Sequence, residues 1–94
     1  MRLQFFVFLQ CHSGKTYEVG QEIARRRNPA VVSISSISGE WDLLLDVRID
    51  SRKDVGREMV SLLQGIEGVA RTNTIVAYPI FNPEDVFFSE DGDP

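Results

Sequence analysis

Apolar residues recur at every second position near the start of the chain and then at every third or fourth position. Both phases of the alternation are apolar from Leu3 to Cys11, which predicts a strand that is covered on both faces. After a Ser-Gly break, apolar residues fall at helical spacing as far as Asn28-Pro29. This segment is predicted to form an amphipathic helix of about three turns.

Two β-type runs follow, over residues 30–37 and 43–49, and a glycine turn separates them. The first run is rich in β-branched residues and the second mixes Leu, Val and Ile with charges, so the pair predicts a β-hairpin.

A second helix is predicted to follow the hairpin. Ser51 with Asp54 three residues later matches a capping box, and apolar residues lie on one helical face up to Gly65. A last strand is predicted from Val69 to Ile80. The order βαββαβ is typical of the α+β ferredoxin-like sandwich, in which a four-stranded antiparallel sheet carries both helices on one face.

The helix-free face of this sheet is predicted to carry a row of apolar side chains. They come from the second phase of each strand: Phe6, Phe8, Val32, Ile34, Leu44, Val76 and Tyr78. Burial of one such side chain contributes roughly 1.5 to 3 kcal/mol, so leaving several in water is unfavourable. We therefore expect dimerisation through this sheet face.

Composition and charge narrow the class of protein. The chain has 94 residues, one cysteine and one histidine, which suits one domain in a reducing cytoplasm and excludes a disulfide framework or a Cys/His zinc site. No apolar run approaches the roughly 20 residues that cross a bilayer. The net charge of −4 does not favour a DNA-binding surface.

The charge divides the chain into a domain, residues 1–81, and an acidic C-terminal tail, residues 82–94. The tail holds five acids and no base. It also contains Val86, Phe87 and Phe88, which are unfavourable in water. We expect its first half to dock on the domain or on a neighbouring subunit, with residues from Ser89 onward loose.

The hairpin turn is the strongest candidate for a binding site. Gly39 can take a positive φ, and exposed N–H groups at such a turn can bind an anion. The carboxylate of Asp42, a few residues on, would complete a receptor for a zwitterion. Two structural alternatives stay open: Asp42 could cap the hairpin or pair with an arginine, and Trp41 could be a core or interface residue.

Two other groups of residues are interpreted as structural. Cys11 and His12 are adjacent at a strand end, so their side chains point to opposite faces and do not form a nucleophile and base. The run Arg25-Arg26-Arg27 lies at a predicted helix C-terminus, where cations are favoured by the helix dipole. Phosphate or acidic-tail binding is the alternative for that run.

Two segments resemble a known family. Residues 31–47, VVSISSISGEWDLLLDV, and residues 65–74, GIEGVARTNT, are similar to the effector-binding domain of the Lrp/AsnC transcriptional regulators, also called the RAM domain. The resemblance covers about residues 4–79, and its sharpest elements are the Ser-Gly-x-x-Asp-Leu-Leu-Leu turn and the Gly-Val-x-Arg-Thr-x-Thr entry to the last strand. It implies a ferredoxin-like subunit that dimerises through its sheet, often stacks into rings of dimers, and binds a small amino acid between dimers.

The resemblance also implies a set of ligand-binding residues. Asp42 would hold the ammonium group of the ligand, and two threonines of the last strand would donate hydroxyls from the same or an adjacent subunit. The full predicted set is Gly39, Glu40, Trp41, Asp42, Thr72 and Thr74. Family members often have a smaller aromatic residue in place of Trp41, and the threonines could instead serve only as β-formers.

The expected function is a non-catalytic amino-acid-binding and oligomerisation module that regulates amino-acid metabolism or transcription, with no cofactor and no metal. The chain starts at the domain's first strand, so we expect a stand-alone member without a helix-turn-helix, without direct nucleic-acid binding and without membrane contact. A full-length Lrp/AsnC regulator could be a partner.

Two alternatives remain for the function. One is a small dimeric ferredoxin-like enzyme, monooxygenase- or isomerase-like. His12 is the only imidazole, and the carboxylates offer no pair for acid/base work, which disfavours an enzyme. The other is a ligand-independent assembly partner of another regulator.

Overall fold

A computed structural model describes residues 1–81, which form one antiparallel sheet and two helices. The elements are β1 (Arg2–Cys11), α1 (Thr16–Arg26), β2 (Val31–Ser36), β3 (Leu43–Asp50), α2 (Val55–Leu63) and β4 (Val69–Ala77). The strand order is β2-β3-β1-β4, and every neighbouring pair is antiparallel. The predicted ferredoxin-like βαββαβ fold is confirmed. The predictions for residues 82–94 lie outside the described residues.

The core lies between the helices and one face of the sheet. Alternate residues of β1 and β3 point to that face, and α1 and α2 cover them with their apolar sides. The buried apolar residues are Phe5, Val7, Leu9, Val19, Ile23, Ala30, Leu43, Leu45, Val47, Ile49 and Leu62. The two-faced apolar pattern of β1 therefore divides into a buried phase and a half-buried phase.

The half-buried phase of β1 forms the centre of the other face, which we call the open face. Phe6 lies opposite Ile75 of β4, and Phe8 lies opposite Leu44 of β3. Ile75 is 44% exposed, and the other three side chains are half-buried. An apolar row along the open face agrees with the prediction for Phe6, Phe8 and Leu44.

Two residues assigned to the open face were predicted wrongly. Ile34 pairs with Leu45, and Val76 pairs with Phe5, so both lie on the face that the helices cover. Cross-strand partners share a face, and Leu45 and Phe5 are core residues. In β4 the residues Ile75 and Val76 are both apolar, so the sequence does not show which of them points to which face. Pairing with β1 places Ile75 on the open face.

The start of α2 also differs from the prediction. Asp54 is the N-cap, and its carboxylate accepts a hydrogen bond from the Arg57 N–H at 3.2 Å. Ser51 lies in the preceding turn, where its N–H donates to the Met1 carbonyl at 2.8 Å. The predicted capping box from Ser51 to Asp54 was therefore wrong. Ser51 belongs to the turn before α2, and the helix begins only after Asp54.

Gly68 brings the start of β4 against α1. Its φ is 99°, and a Cβ at this position would lie 2.9 Å from Val19 Cγ2 and 3.1 Å from Lys15 Cβ. Its carbonyl accepts a hydrogen bond from the His12 N–H at 2.8 Å. Only glycine allows this close approach, which places the end of β1 and the beginning of β4 side by side.

Candidate functional site

The connection between β2 and β3 forms an exposed turn, and backbone hydrogen bonds hold the two ends of this turn, which we call its base, together. At the base, the Ile37 N–H donates to the Asp42 carbonyl at 3.0 Å, and the Asp42 N–H donates to the Leu9 carbonyl at 2.8 Å. Gly39 has a φ of 111°, and no atom lies within 4 Å of the position that a Cβ would take. The predicted positive φ at Gly39 is therefore present, and the space beside the glycine is open.

The Asp42 carboxylate is fixed at the end of β1. Its Oδ2 accepts a hydrogen bond from the Cys11 N–H at 2.7 Å, a distance typical of a charge-assisted bond. A carboxylate has about four lone-pair directions, so this bond leaves capacity for a further donor. Asp42 thus ties the hairpin to β1, and it presents an anionic group beside the glycine turn.

Cys11 is not an activated nucleophile. Burial raises the pKa of its thiol most, a hydrogen bond with Thr16 lowers it, and the nearby Asp42 charge raises it further. The net shift is upward, which keeps the thiol protonated, whereas catalytic thiols are those whose pKa is depressed. The raised pKa is compatible with the structural role predicted for this residue.

Glu40 is paired across the sheet. Its Oε2 accepts a hydrogen bond from Arg71 Nη2 at 3.0 Å, and its backbone carbonyl accepts one from Gln10 Nε2 at 3.2 Å. Arg71 Nε also donates a hydrogen bond, to Gln10 Oε1 at 3.0 Å. The arginine pairing considered for Asp42 is therefore made by Glu40.

Trp41 packs on the open face. Its ring centroid lies 6.1 Å from that of Phe8 with 53° between the planes, and the Arg71 guanidinium carbon lies 4.8 Å from the ring centroid. The first geometry is a tilted aromatic pair and the second a cation–π contact. The indole therefore lies between an aromatic ring and a cation on the sheet.

Thr72 and Thr74 lie elsewhere in the protomer. They pair with Leu9 and Val7, so both are on the face of β4 that points toward the helices. With α2 they line a groove of about 410 Å³, and no residue of the 39–42 turn lines it. One protomer brings the four turn residues together and leaves the two threonines apart, so the combined site remains a prediction.

Sequence reasoning gave no role to two residues that hold the turn, Gln10 and Arg71. Arg71 stands in the Gly-Val-x-Arg-Thr-x-Thr pattern, which was the available signal. Gln10 carried no signal, because its contact with Glu40 depends on the register between β1 and the turn.

Two features are absent from residues 1–81: a group of side chains suited to bind a metal, and a helix suited to cross a membrane. Within them, no three His, Cys, Asp or Glu side chains are grouped as metal ligands would be. In the same residues, no helix is long and apolar enough to cross a membrane.

Comparison with known proteins gives the family. A family model described as the Lrp/AsnC ligand binding domain matches residues 4–85. An uncharacterised HTH-type transcriptional regulator of Pyrococcus horikoshii is 41% identical over 61 residues, which are 65% of this chain and 39% of that regulator. The chain thus spans about two fifths of the length of this relative.

Solved structures share the fold. TTHA0845 from Thermus thermophilus superposes with a TM-score of 0.72 at 25% identity, over 85% of this chain and 98% of that one. A transcriptional regulator of Neisseria meningitidis, solved as a complex with L-Met, superposes with a TM-score of 0.66 at 21% identity, over 85% of this chain and 52% of that one. The sequence match over residues 4–85 and the shared βαββαβ fold agree, and the chain belongs to the Lrp/AsnC ligand-binding domain family.

Proposed function

We propose that this domain binds a free amino acid without transforming it, and that binding regulates amino-acid metabolism or transcription. The observation that carries the proposal is the Asp42 carboxylate, held by the Cys11 N–H at 2.7 Å beside the open Gly39 turn. An α-amino acid needs a cation site and an anion site a few ångströms apart. Asp42 supplies the first, and the exposed backbone N–H groups around Gly39 supply the second.

The Neisseria meningitidis regulator supports this choice of ligand class, because its structure was solved with L-Met. We propose that Glu40 and Trp41 border the ligand here. Their side chains are engaged on the open face, and the Glu40 carbonyl accepts from Gln10, so their backbone N–H groups are the parts left to contact the ligand.

Completion of the site requires a second subunit in this proposal. Thr72 and Thr74 lie on the helix side of β4, while Trp41 lies on the open face. Their hydroxyls would therefore reach a ligand held at the 39–42 turn of an adjacent subunit. The exposed groove that they line with α2 is compatible with such a contact.

We propose that the open face is the surface through which two copies dimerise, and that dimers associate further. Phe6, Phe8, Leu44 and Ile75 form an apolar row across the three adjacent strands β3, β1 and β4. A two-fold dimer would cover that row with the same row of its partner. Cytoplasmic placement and association with a full-length Lrp/AsnC regulator belong to the same proposal. So does the absence of direct DNA contact, because the chain as a whole carries a net charge of −4.

The test is a thermal-shift screen of the twenty amino acids, with oligomer size measured by light scattering. Three proteins are compared: wild type, Asp42→Asn, and Asp54→Asn as a matched control. Asparagine at position 42 keeps an oxygen for the Cys11 N–H and removes the charge. Asparagine at position 54 makes the same chemical change at a helix N-cap, where Asn and Asp serve about equally.

We expect one class of amino acid to raise the melting temperature of wild type and of Asp54→Asn, and to lose its effect on Asp42→Asn. A ligand at about 100 times its dissociation constant adds about 2.7 kcal/mol of stability, which such a screen detects. No shift in wild type at millimolar concentrations would refute the proposed function. An equal shift in all three proteins would refute the placement of the site at Asp42.

A further inference from the structure

One side chain, Arg71, joins three separate parts of the chain. Its Nε donates to Gln10 on β1 at 3.0 Å, and its Nη2 donates to Glu40 in the turn at 3.0 Å. Its guanidinium also lies over the Trp41 ring, 4.8 Å from the centroid. Other arginine pairs among residues 1–81 are local in sequence, such as Arg48 with Asp46 and Arg52 with Asp50.

These contacts form a closed ring. Gln10 accepts from Arg71 through Oε1 and donates to the Glu40 carbonyl through Nε2, while Glu40 accepts from Arg71 through its carboxylate. Each of the three residues therefore contacts the other two. We call this set, together with Trp41, the Arg71 clamp.

The clamp holds the part of the turn that other contacts leave free. The base is attached to β1 through the Asp42 N–H and carboxylate. Beyond the base, a Cβ at Gly39 would have no atom within 4 Å apart from its chain neighbours, and Ser38, Gly39 and Glu40 are exposed. The orientation of the turn's tip therefore depends on Glu40 and Trp41, which are the residues that the clamp holds.

We propose that Arg71 is the positioning residue of the 39–42 turn, and that through Trp41 it couples ligand binding at the turn to packing of the open face. This inference rests on the proposed function for the ligand, and on the clamp geometry for the coupling. Trp41 lies against Phe8, which belongs to the apolar row of the open face. A change in the tip of the turn therefore moves an aromatic ring on the surface through which we propose that dimers form.

The chemistry of arginine suits this role. A planar guanidinium can donate from two different nitrogens in its plane while its face lies on an aromatic ring, and a lysine ammonium cannot reproduce that combination. The Arg71–Glu40 ion pair alone would contribute little, because both side chains are more than half exposed. The three contacts on one rigid group are what fix the turn.

Trp41 is the only tryptophan of the chain, so its fluorescence reports directly on the clamp. We would compare wild type, Arg71→Gln, Arg71→Lys and Arg48→Gln. Arg48 is the matched control, because it is an arginine of the open face, opposite Gln4, that pairs with Asp46. Acrylamide quenching is measured without ligand, the dissociation constant is measured with L-methionine as probe, and far-UV circular dichroism verifies folding.

We expect both Arg71 variants to raise the quenching constant about twofold and to weaken L-methionine binding about tenfold. The lysine variant should behave like the glutamine variant, because lysine keeps the charge but lacks the planar group that donates from two nitrogens. Arg48→Gln should leave both quantities at wild-type values. L-methionine should change the protein concentration at which the wild-type dimer dissociates, and it should leave that concentration unchanged in the Arg71 variants.

Three outcomes overturn the inference. Unchanged quenching in Arg71→Gln would show that Arg71 does not hold the turn. Increased quenching with unchanged L-methionine affinity would make Arg71 merely structural, while the proposed function stands. If wild type binds no amino acid, the proposed function fails and the coupling fails with it, and the quenching data then decide only whether the clamp exists.

Discussion

Asp42 and Cys11 are joined by a 2.7 Å hydrogen bond from the Cys11 N–H to the Asp42 carboxylate, across the end of β1. The bond gives Asp42 a structural role in addition to its proposed role in ligand binding. Substitution by alanine would remove both at once. The two roles have to be separated by the choice of variant.

Asp42→Ala is expected to destabilise the domain by about 1 kcal/mol, because the Cys11 N–H loses its acceptor. Asp42→Asn should lose less, since its amide oxygen still accepts that bond. Urea unfolding followed by circular dichroism measures the difference. Equal stability of the alanine variant and wild type would contradict this prediction, because water would then satisfy the Cys11 N–H as well as the carboxylate does.

Gly68→Ala should destabilise more than Gly39→Ala. At Gly68 the new Cβ would lie 2.9 Å from Val19 Cγ2, in addition to a strained φ of 99°, and we expect a loss of about 3 kcal/mol. At Gly39 the space is open and only the φ of 111° is unfavourable, so we expect a loss of about 1 to 2 kcal/mol. Urea midpoints of the two variants give the comparison, and the reverse order would contradict the close packing of β4 on α1.

The carboxyl of Asp50, at the end of β3, should keep its charge to an unusually acid pH. The side-chain hydrogen bonds from Arg52, and then its backbone N–H, lower the pKa of Asp50 from 3.8 to about 2. A carboxyl whose pKa is lower in the folded state stabilises the fold above its unfolded pKa. That contribution is therefore present above about pH 4 and is lost as the pH falls through 2.

An NMR titration of the Asp50 carboxyl carbon measures this shift. Arg52→Gln should move the pKa of Asp50 upward toward 3.8. A salt concentration of about 1 M should move it in the same direction, because the Arg52 side chain is 84% exposed and its charge is screened. Arg57→Gln, an arginine in α2, is the control. A pKa near 3.8 in wild type would contradict the Asp50–Arg52 geometry.

A charge on the open face should disrupt the proposed dimer. Ile75→Glu places a carboxylate next to Phe6, which lies in the middle of the apolar row. Tyr17→Glu makes the same addition on α1, where the side chain is 81% exposed. Light scattering over a concentration series should give a monomer for Ile75→Glu and leave Tyr17→Glu unchanged, and an intact dimer in both would exclude the open face as the interface.

Much of the fold could be predicted because its signals are local. The alternation in β1, the stop at Asn28-Pro29 and the glycine at position 39 each constrain only their immediate neighbours. The positive φ of Gly39 followed from the residue type alone.

The remaining features depend on register, which the sequence does not encode locally. Ile75 and Val76 are both apolar, and only pairing with Phe6 and Phe5 decides which one faces the helices. The contact between Arg71 and Glu40 likewise requires β4 to be aligned with β1 before it exists. The clamp and the separation of the two threonines from the turn could therefore be seen only in the structure.

The strand order has a consequence for how this domain folds. One of the two central strands, β1, is synthesised before the other strands, yet both of its neighbours, β3 and β4, come from the second half of the described residues. Its register with β4 joins Gln4 to Ala77, so nearly the whole of residues 1–81 must leave the ribosome before the sheet can close. Until then the phenylalanine-rich β1 has no lasting partner. Formation of the sheet is therefore slow relative to local structures, and this apolar segment stays exposed to aggregation in the meantime.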